Sequence, residues 1–216
     1  MVGFDMVEAA DEKDPYVIKL LKNVGTHTPV YLDVEPEEGA EINECFPAVQ
    51  KKIETSGGRM ILGWQIWKGP NLVEAELHAV WEDPDEELHD ITPKDAGITR
   101  IMFVEDENLV YDGKQKDNIR LNTTTNPLVD DFIKASEAIF RFQNKGERAD
   151  LYGMDFNNAL TAEEMEHFEK LHQLKDMMNV IIMMGGKRGS PCPCMNGKKF
   201  NECHGKDWQK IAAKDI

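Results

Sequence analysis

Long apolar runs are missing from this sequence, which nowhere approaches the roughly 18 consecutive apolar residues that a membrane-spanning helix requires. The opening Met-Val-Gly-Phe-Asp-Met-Val-Glu also lacks the basic start and apolar stretch of a signal peptide, so the expectation is a cytoplasmic protein with no membrane span. Basic charge is scarce, with 25 Lys and Arg against 40 Asp and Glu, a formal net charge of −15. Such a surface repels phosphate backbones and argues against a nucleic-acid partner for the body of the chain. Cysteine is scarce as well: of four, Cys192, Cys194 and Cys203 crowd together and Cys45 stands alone. A disulfide framework would not leave that arrangement, whereas metal ligation plus one free thiol accounts for it. No internal repeat is visible.

What is present is a chain of 216 residues, 41% hydrophobic and 30% charged, enough for one ordinary domain with a real core and a small accessory. Charge is distributed unevenly. Residues 1–44 carry 11 acids and three lysines, while residues 187–206 carry five bases (Lys187, Arg188, Lys198, Lys199, Lys206) and one acid, Glu202. The pattern predicts an acidic, patternless start over residues 1–14, then a helix over 15–24 from the spacing of Val17, Leu20, Leu21 and Val24. A strand or extended stretch follows at 28–34. A second helix is predicted over about 43–56, with Asn43 as N-cap and Gly57-Gly58 as its stop. Pro47 is tolerated only in the first turn, which puts Cys45 at or just before the helix start.

Residues 59–68 are too rich in large and β-branched side chains to be anything but a buried strand, and Gly69-Pro70-Asn71 turns it back. Residues 72–82 alternate, with Val73, Ala75, Leu77, Ala79 and Trp81 on one face and Glu74, Glu76, His78 and Val80 on the other. Further strands are expected at 87–92, 98–104 and 119–124, and helices at 127–145 and 162–184, the latter opened by a Thr161/Glu164 capping-box spacing. The organisation read from these signals is an α+β body over residues 1–184, an antiparallel sheet packed by helices, then a glycine-rich linker at 185–190 and a small tail at 191–206. Trp64, Trp67 and Trp81, large aromatics on strands, are expected to fill a core rather than line a cleft.

The tail holds three cysteines and a histidine within thirteen residues, with almost no apolar neighbours, and cannot be a core. Cys192 and Cys194 flank Pro193, eight residues follow, and Cys203 and His204 come together; Asn196-Gly197 supplies the reversal between the pairs. Four such ligands suit one tetrahedral Zn2+ with every position filled by protein, which makes the metal structural. The spacing closely resembles the SecA C-terminal zinc motif (SEC-C), with Met195-Asn196-Gly197 where that family usually has Gly-Ser-Gly. What the resemblance implies is metal binding at Cys192, Cys194, Cys203 and His204 and recognition of a protein partner through the tail.

In the body, Cys45 invites comparison with His78 and Asp90. A thiol nucleophile needs a base and a carboxylate that orients the base, and a helix N-terminus favours an anion. If strands 72–82 and 87–92 form a hairpin centred on Pro84, His78 and Asp90 lie directly opposite each other on one face. His89 would then point to the other face. The segments Cys45-Phe46-Pro47-Ala48, Gly63-Trp64, His78-Ala79-Val80-Trp81-Glu82 and Asp90-Ile91-Thr92-Pro93 resemble, in order and spacing, the transglutaminase-like branch of the papain-like cysteine enzymes. That resemblance implies a transglutaminase-like core over about 43–125, with Cys45 as nucleophile, His78 as general base and Asp90 as orienting acid, acting on amide bonds by hydrolysis or acyl transfer. The competing expectation is a non-catalytic, zinc-dependent adaptor whose basic tail docks a partner protein.

Overall fold

The computed structural model describes residues 8–24, 27–95, 97–151 and 153–214. The chain divides into two compact units, the first ending at Thr123 and the second beginning at Thr124.

The first unit is built on one sheet of seven strands: β1 (Glu8–Ala9), β2 (Val30–Asp33), β3 (Arg59–Lys68), β4 (Leu72–Glu82), β5 (Leu88–His89), β6 (Arg100–Glu105) and β7 (Ile119–Asn122). Its path is β2-β6-β3-β4-β5, with β1 also paired to β3 and β7 to β4, and every ladder is antiparallel. β3 and β4 run the full expected length because Gly69 closes the turn between them, its N–H donating to the Leu72 carbonyl at 2.9 Å. On the outer edge of β4 the ladder with β7 covers Leu72 to Ala75 and that with β5 covers Trp81 and Glu82; among the described residues no strand pairs with 76–80 there.

Both helices of this unit pack on the face carrying Val73, Ala75 and Ala79. The first, α1 (Pro15–Leu21), is capped by Asp14, whose carboxylate accepts the Tyr16 and Val17 N–H groups, and buries Val17 and Leu20 against Trp64, Ile66, Val73 and Met102. The second, α2 (Cys45–Ser56), sets Cys45 and Val49 against Ala79 and Ile91. Alternation sends Gln65, Glu74, Glu76 and His78 to the other face, alongside Ile61, Val80, Ile101 and Phe103. Trp64 and Trp67 are core residues, as expected.

Three local expectations change. The N-cap of α2 is Glu44, because Asn43 takes a left-handed φ of 67° and turns the chain before the helix can begin. Pro47 is then the third helical residue, still within the turn that needs no donor. Within the acidic start, residues 8–14 are built into the unit: β1 pairs with Trp67 and Lys68, Ala10 is buried, and Asp14 forms an ion pair with Lys68. Residues 1–7 of that predicted segment lie outside the described residues. The strand expected over 87–92 is ladder only at Leu88 and His89, after which Asp90 joins Val34 in an isolated parallel bridge.

The second unit contains α3 (Pro127–Gln143), α4 (Gly153–Ala159), α5 (Ala162–Met183) and α6 (Trp208–Ala212). Pro127 opens α3 beside the Asn126 cap, and the predicted capping box of α5 forms, with the Glu164 N–H donating to Thr161 Oγ1 and the Thr161 N–H to the Glu164 carboxylate. Ala138, Ile139, Phe142, Phe156 and Leu171 make its core, with Ile211 of α6 packed against them. Residues 185–190 are tied down at several points by hydrogen bonds. The Asn126 side-chain amide donates to the Gly186 carbonyl, the Lys187 N–H to Ser190 Oγ, and the Arg188 guanidinium makes two bonds to the Asp131 carboxylate, which is 1% exposed. Among the described residues no helix is long and apolar enough to cross a membrane.

Candidate functional site

The unladdered stretch of β4 carries His78, and Asp90 and the first turn of α2 lie against this strand. The His78 imidazole, 2% exposed, has Nε2 at 3.0 Å from Oδ1 of the fully buried Asp90, and the Cys45 thiol acts on the same ring electrostatically, favouring its charged form. The three residues singled out from sequence therefore come together, although not by the expected register. β4 and β5 pair Trp81 with His89 and Glu82 with Leu88, so the hairpin turns about Asp85 rather than Pro84, and Asp90 meets His78 on the diagonal. The displacement arises in the turn itself: Asp83 Oδ1 accepts the N–H groups of Asp85 and Glu87, and Glu86 adopts a φ of 66°.

Asp90 is fixed from three directions. Its carbonyl accepts the Glu35 N–H at 2.9 Å, its Oδ1 accepts the Thr92 N–H at 3.3 Å, and Lys94 Nζ lies 2.9 Å from its Oδ2. Lys94 had no part in the sequence reading, yet its Nζ is also 3.2 Å from His78 Nε2. Burial disfavours the imidazolium of His78, but the hydrogen bond with Asp90 and the influence of Cys45 outweigh it and raise the imidazole above its ordinary value, with the Lys94 charge acting downward. For Asp90 burial acts upward, and the His78 and Lys94 contacts more than offset it, holding the carboxyl below its ordinary value.

Two further features shape access to this group. Gly63 faces His78 across the β3–β4 ladder, and a Cβ there would sit 2.2 Å from the Val104 carbonyl oxygen and 2.5 Å from the Phe103 ring, so only glycine fits. Phe46, next to Cys45, is stacked on Tyr111 with ring centroids 3.7 Å apart, and the thiol residue is 5% exposed. A cavity of about 290 Å³ adjoins the outer side of the α2 N-terminus, lined by Glu37, Glu41, Glu44, Pro47 and Lys51 among others; it is not lined by the buried Cys45, His78 or Asp90.

The tail forms a second, independent cluster. Ligand atoms of Cys192, Cys194, Cys203 and His204 all lie within 4.8 Å of one another. Cys194 Sγ is 3.7 Å from Cys203 Sγ, and His204 Nδ1 is 3.3 Å from both Cys192 Sγ and Cys203 Sγ. A tetrahedron with metal–sulfur bonds of about 2.3 Å and metal–nitrogen bonds of about 2.0 Å has edges of roughly 3.5–3.8 Å, so the cage fits zinc. All four donors could hold one metal ion, and Asn196, which the sequence marks only as a turn residue, donates its side-chain amide to Cys203 Sγ at 2.9 Å. The hinge of the cage is the Pro191–Lys199 bridge, reinforced by Cys192 N–H donating to the Lys198 carbonyl. Phe200, fully buried, fills the space beside Gly205, whose backbone approaches the ring too closely for any side chain.

Fold and site together define a mixed α+β protein, an antiparallel sheet packed by helices with a C-terminal Cys3His cluster able to bind metal. Among known proteins the chain is similar to the protein translocase subunit SecA of Campylobacter lari, at 26% identity over 236 aligned positions that include 94% of this chain. It spans about a quarter of that relative's length (26%). No family model matches the chain, and no solved structure matches it.

Proposed function

We propose that this protein is a thiol enzyme acting on amide bonds, by hydrolysis or acyl transfer, with a transglutaminase-like core and a zinc-stabilised tail that recognises a partner protein. The observation that carries the reading is the buried contact set of Cys45, His78 and Asp90. In the reaction, His78 takes the Cys45 proton as the sulfur attacks the carbonyl carbon; the carbon–nitrogen bond then breaks and the imidazolium returns its proton to the leaving amine. Water or a second amine, deprotonated by His78, then attacks the thioester and releases Cys45. Asp90 holds the ring and stabilises its charged form. The test is alkylation by iodoacetamide near neutral pH: Cys45 in the folded protein reacts, and His78→Ala slows that reaction. A thiol that reacts only after unfolding overturns the proposal.

A second reading is favoured by the burial of Cys45, which is 5% exposed. There the body is a non-catalytic scaffold and the tail, with Lys198, Lys199 and Lys206 around one structural Zn2+, docks an acidic protein surface. Similarity to a SecA subunit over nearly the whole chain is compatible with such a role. Under this reading Cys45→Ser leaves partner binding unchanged and Cys192→Ser abolishes it.

A further inference from the structure

We infer that Lys94 is a positioning residue of the thiol site, setting the charge and tautomer of His78; the inference rests on the thiol-enzyme reading above. The geometry is specific. Nε2 of His78 faces two groups that ask opposite things of it: Asp90 Oδ1 at 3.0 Å requires a donor, and the Lys94 ammonium at 3.2 Å requires an acceptor. One nitrogen cannot satisfy both. When Nε2 carries its proton and donates to Asp90, Nδ1 of the neutral ring is left unprotonated and can act as a base. When Nε2 accepts from Lys94, the proton sits on Nδ1 and the ring cannot serve as a base toward the thiol.

Lys94 is not a surface cation that happens to lie nearby. Its side chain is 8% exposed, it shares both Asp90 oxygens (2.9 Å to Oδ2, 3.2 Å to Oδ1), and it stands four residues from Asp90 beyond Pro93. Burial at this level withholds the screening that would make a surface lysine unimportant. The titratable and charged groups facing His78 are Cys45 from α2, Asp90 and Lys94 from the segment after β5, and Glu76 and Glu105 on the same sheet face; Phe103 of β6 presents its ring edge. Asp90 and Cys45 both favour the imidazolium. Lys94 is the one cation in the set, and it keeps that pair from holding His78 permanently charged, so that a neutral base is available.

The experiment compares wild type with Lys94→Met, Lys94→Gln and Lys94→Arg. Glutamine keeps a donor for Asp90 without the charge, which guards against a methionine variant that fails to fold. His78 is followed by 15N NMR of its imidazole across pH, a readout of both charge and tautomer. The expected result is that His78 titrates at higher pH in the Met and Gln variants, since removing a positive charge favours the protonated ring, and at the wild-type pH in Lys94→Arg. An unchanged titration in both uncharged variants overturns the inference, as does an equal displacement in the Arg variant, which would assign Lys94 a packing role. The NMR signal does not require Cys45 to react. Loss of Cys45 alkylation in every folded variant and in wild type would therefore sink the thiol-enzyme reading while leaving the Lys94 result separately decided.

Discussion

Replacing Arg188 by alanine tests whether residues 185–190 act as a tether or as a clamp. The Asp131 carboxylate is 1% exposed, and both of its oxygens receive Arg188 nitrogens, Nε and Nη2, at 2.5 Å. Arg188→Ala removes both donors and leaves the Asp131 carboxylate without its two charged partners. Breaking a fully buried pair costs about 3–5 kcal/mol, but the Arg188 side chain is 45% exposed, so water can partly replace it and about 2–3 kcal/mol is expected. Nη2 also donates to the Pro127 carbonyl at 3.3 Å, a weak addition that keeps the figure from falling further. For a unit of this size that corresponds to a fall in Tm of roughly 10 °C or more. Thermal unfolding of the metal-loaded protein, with Asp131→Asn and the double variant completing a cycle, measures the pair directly. A loss under about 0.5 kcal/mol for Arg188→Ala would refute the reasoning and return this segment to the status of a flexible linker.

Other consequences are as direct. Cys203→Ser, or a strong chelator, should release about one zinc per chain by metal analysis and lower the Tm of the helical unit, because the cage closes residues 191–204 onto buried Phe200. Gly63→Ala should cost at least about 2 kcal/mol in urea unfolding, since its Cβ would collide with the rigid backbone at Val104 as well as with the buried Phe103 ring. The His78–Asp90 contact makes stability depend on pH in two windows. His78 is raised in the folded state, so its contribution is complete below about pH 6.5 and is lost as pH climbs through the folded value. Asp90 is lowered, so its contribution is complete above about pH 3.9 and is lost as pH falls through the folded value. His78→Gln should flatten both dependences in denaturation curves taken across pH. Thr161→Ala should cost about 1 kcal/mol by the same measurement through loss of the α5 capping box.

How much of this was legible in sequence depends on the distance over which each feature is determined. β3 and β4 announce themselves because alternation and the Gly69-Pro70-Asn71 turn are local, and the metal ligands because a cage closed by thirteen residues needs no knowledge of the rest. The meeting of His78 and Asp90 was foreseen but its register was not. Periodicity fixes which face a side chain takes, whereas the pairing offset is set by the turn at Asp83 to Glu87, where Glu86 adopts a left-handed conformation that no residue type there advertises. Lys94 escaped notice because only the bend after Asp90 swings it back onto the imidazole. The clamp at Arg188 joins residues 57 apart in sequence, and a stretch written Gly-Gly-Lys-Arg-Gly-Ser looks flexible until its partner is known. The helices α4 and α6, seven and five residues long, are too short for a 3.6-residue period to register.

The different exposure of the four cysteines sets an order in which oxidants would find them. Cys45 is buried, while Cys194 and Cys203 are partly open to solvent with their sulfurs 3.7 Å apart, close enough to join when no metal is bound between them. Oxidative damage would therefore begin in the tail. The molecule would lose the element proposed to recognise its partner before the thiol proposed to do its chemistry, so that mild peroxide would leave chains with Cys45 still reduced and the tail cross-linked.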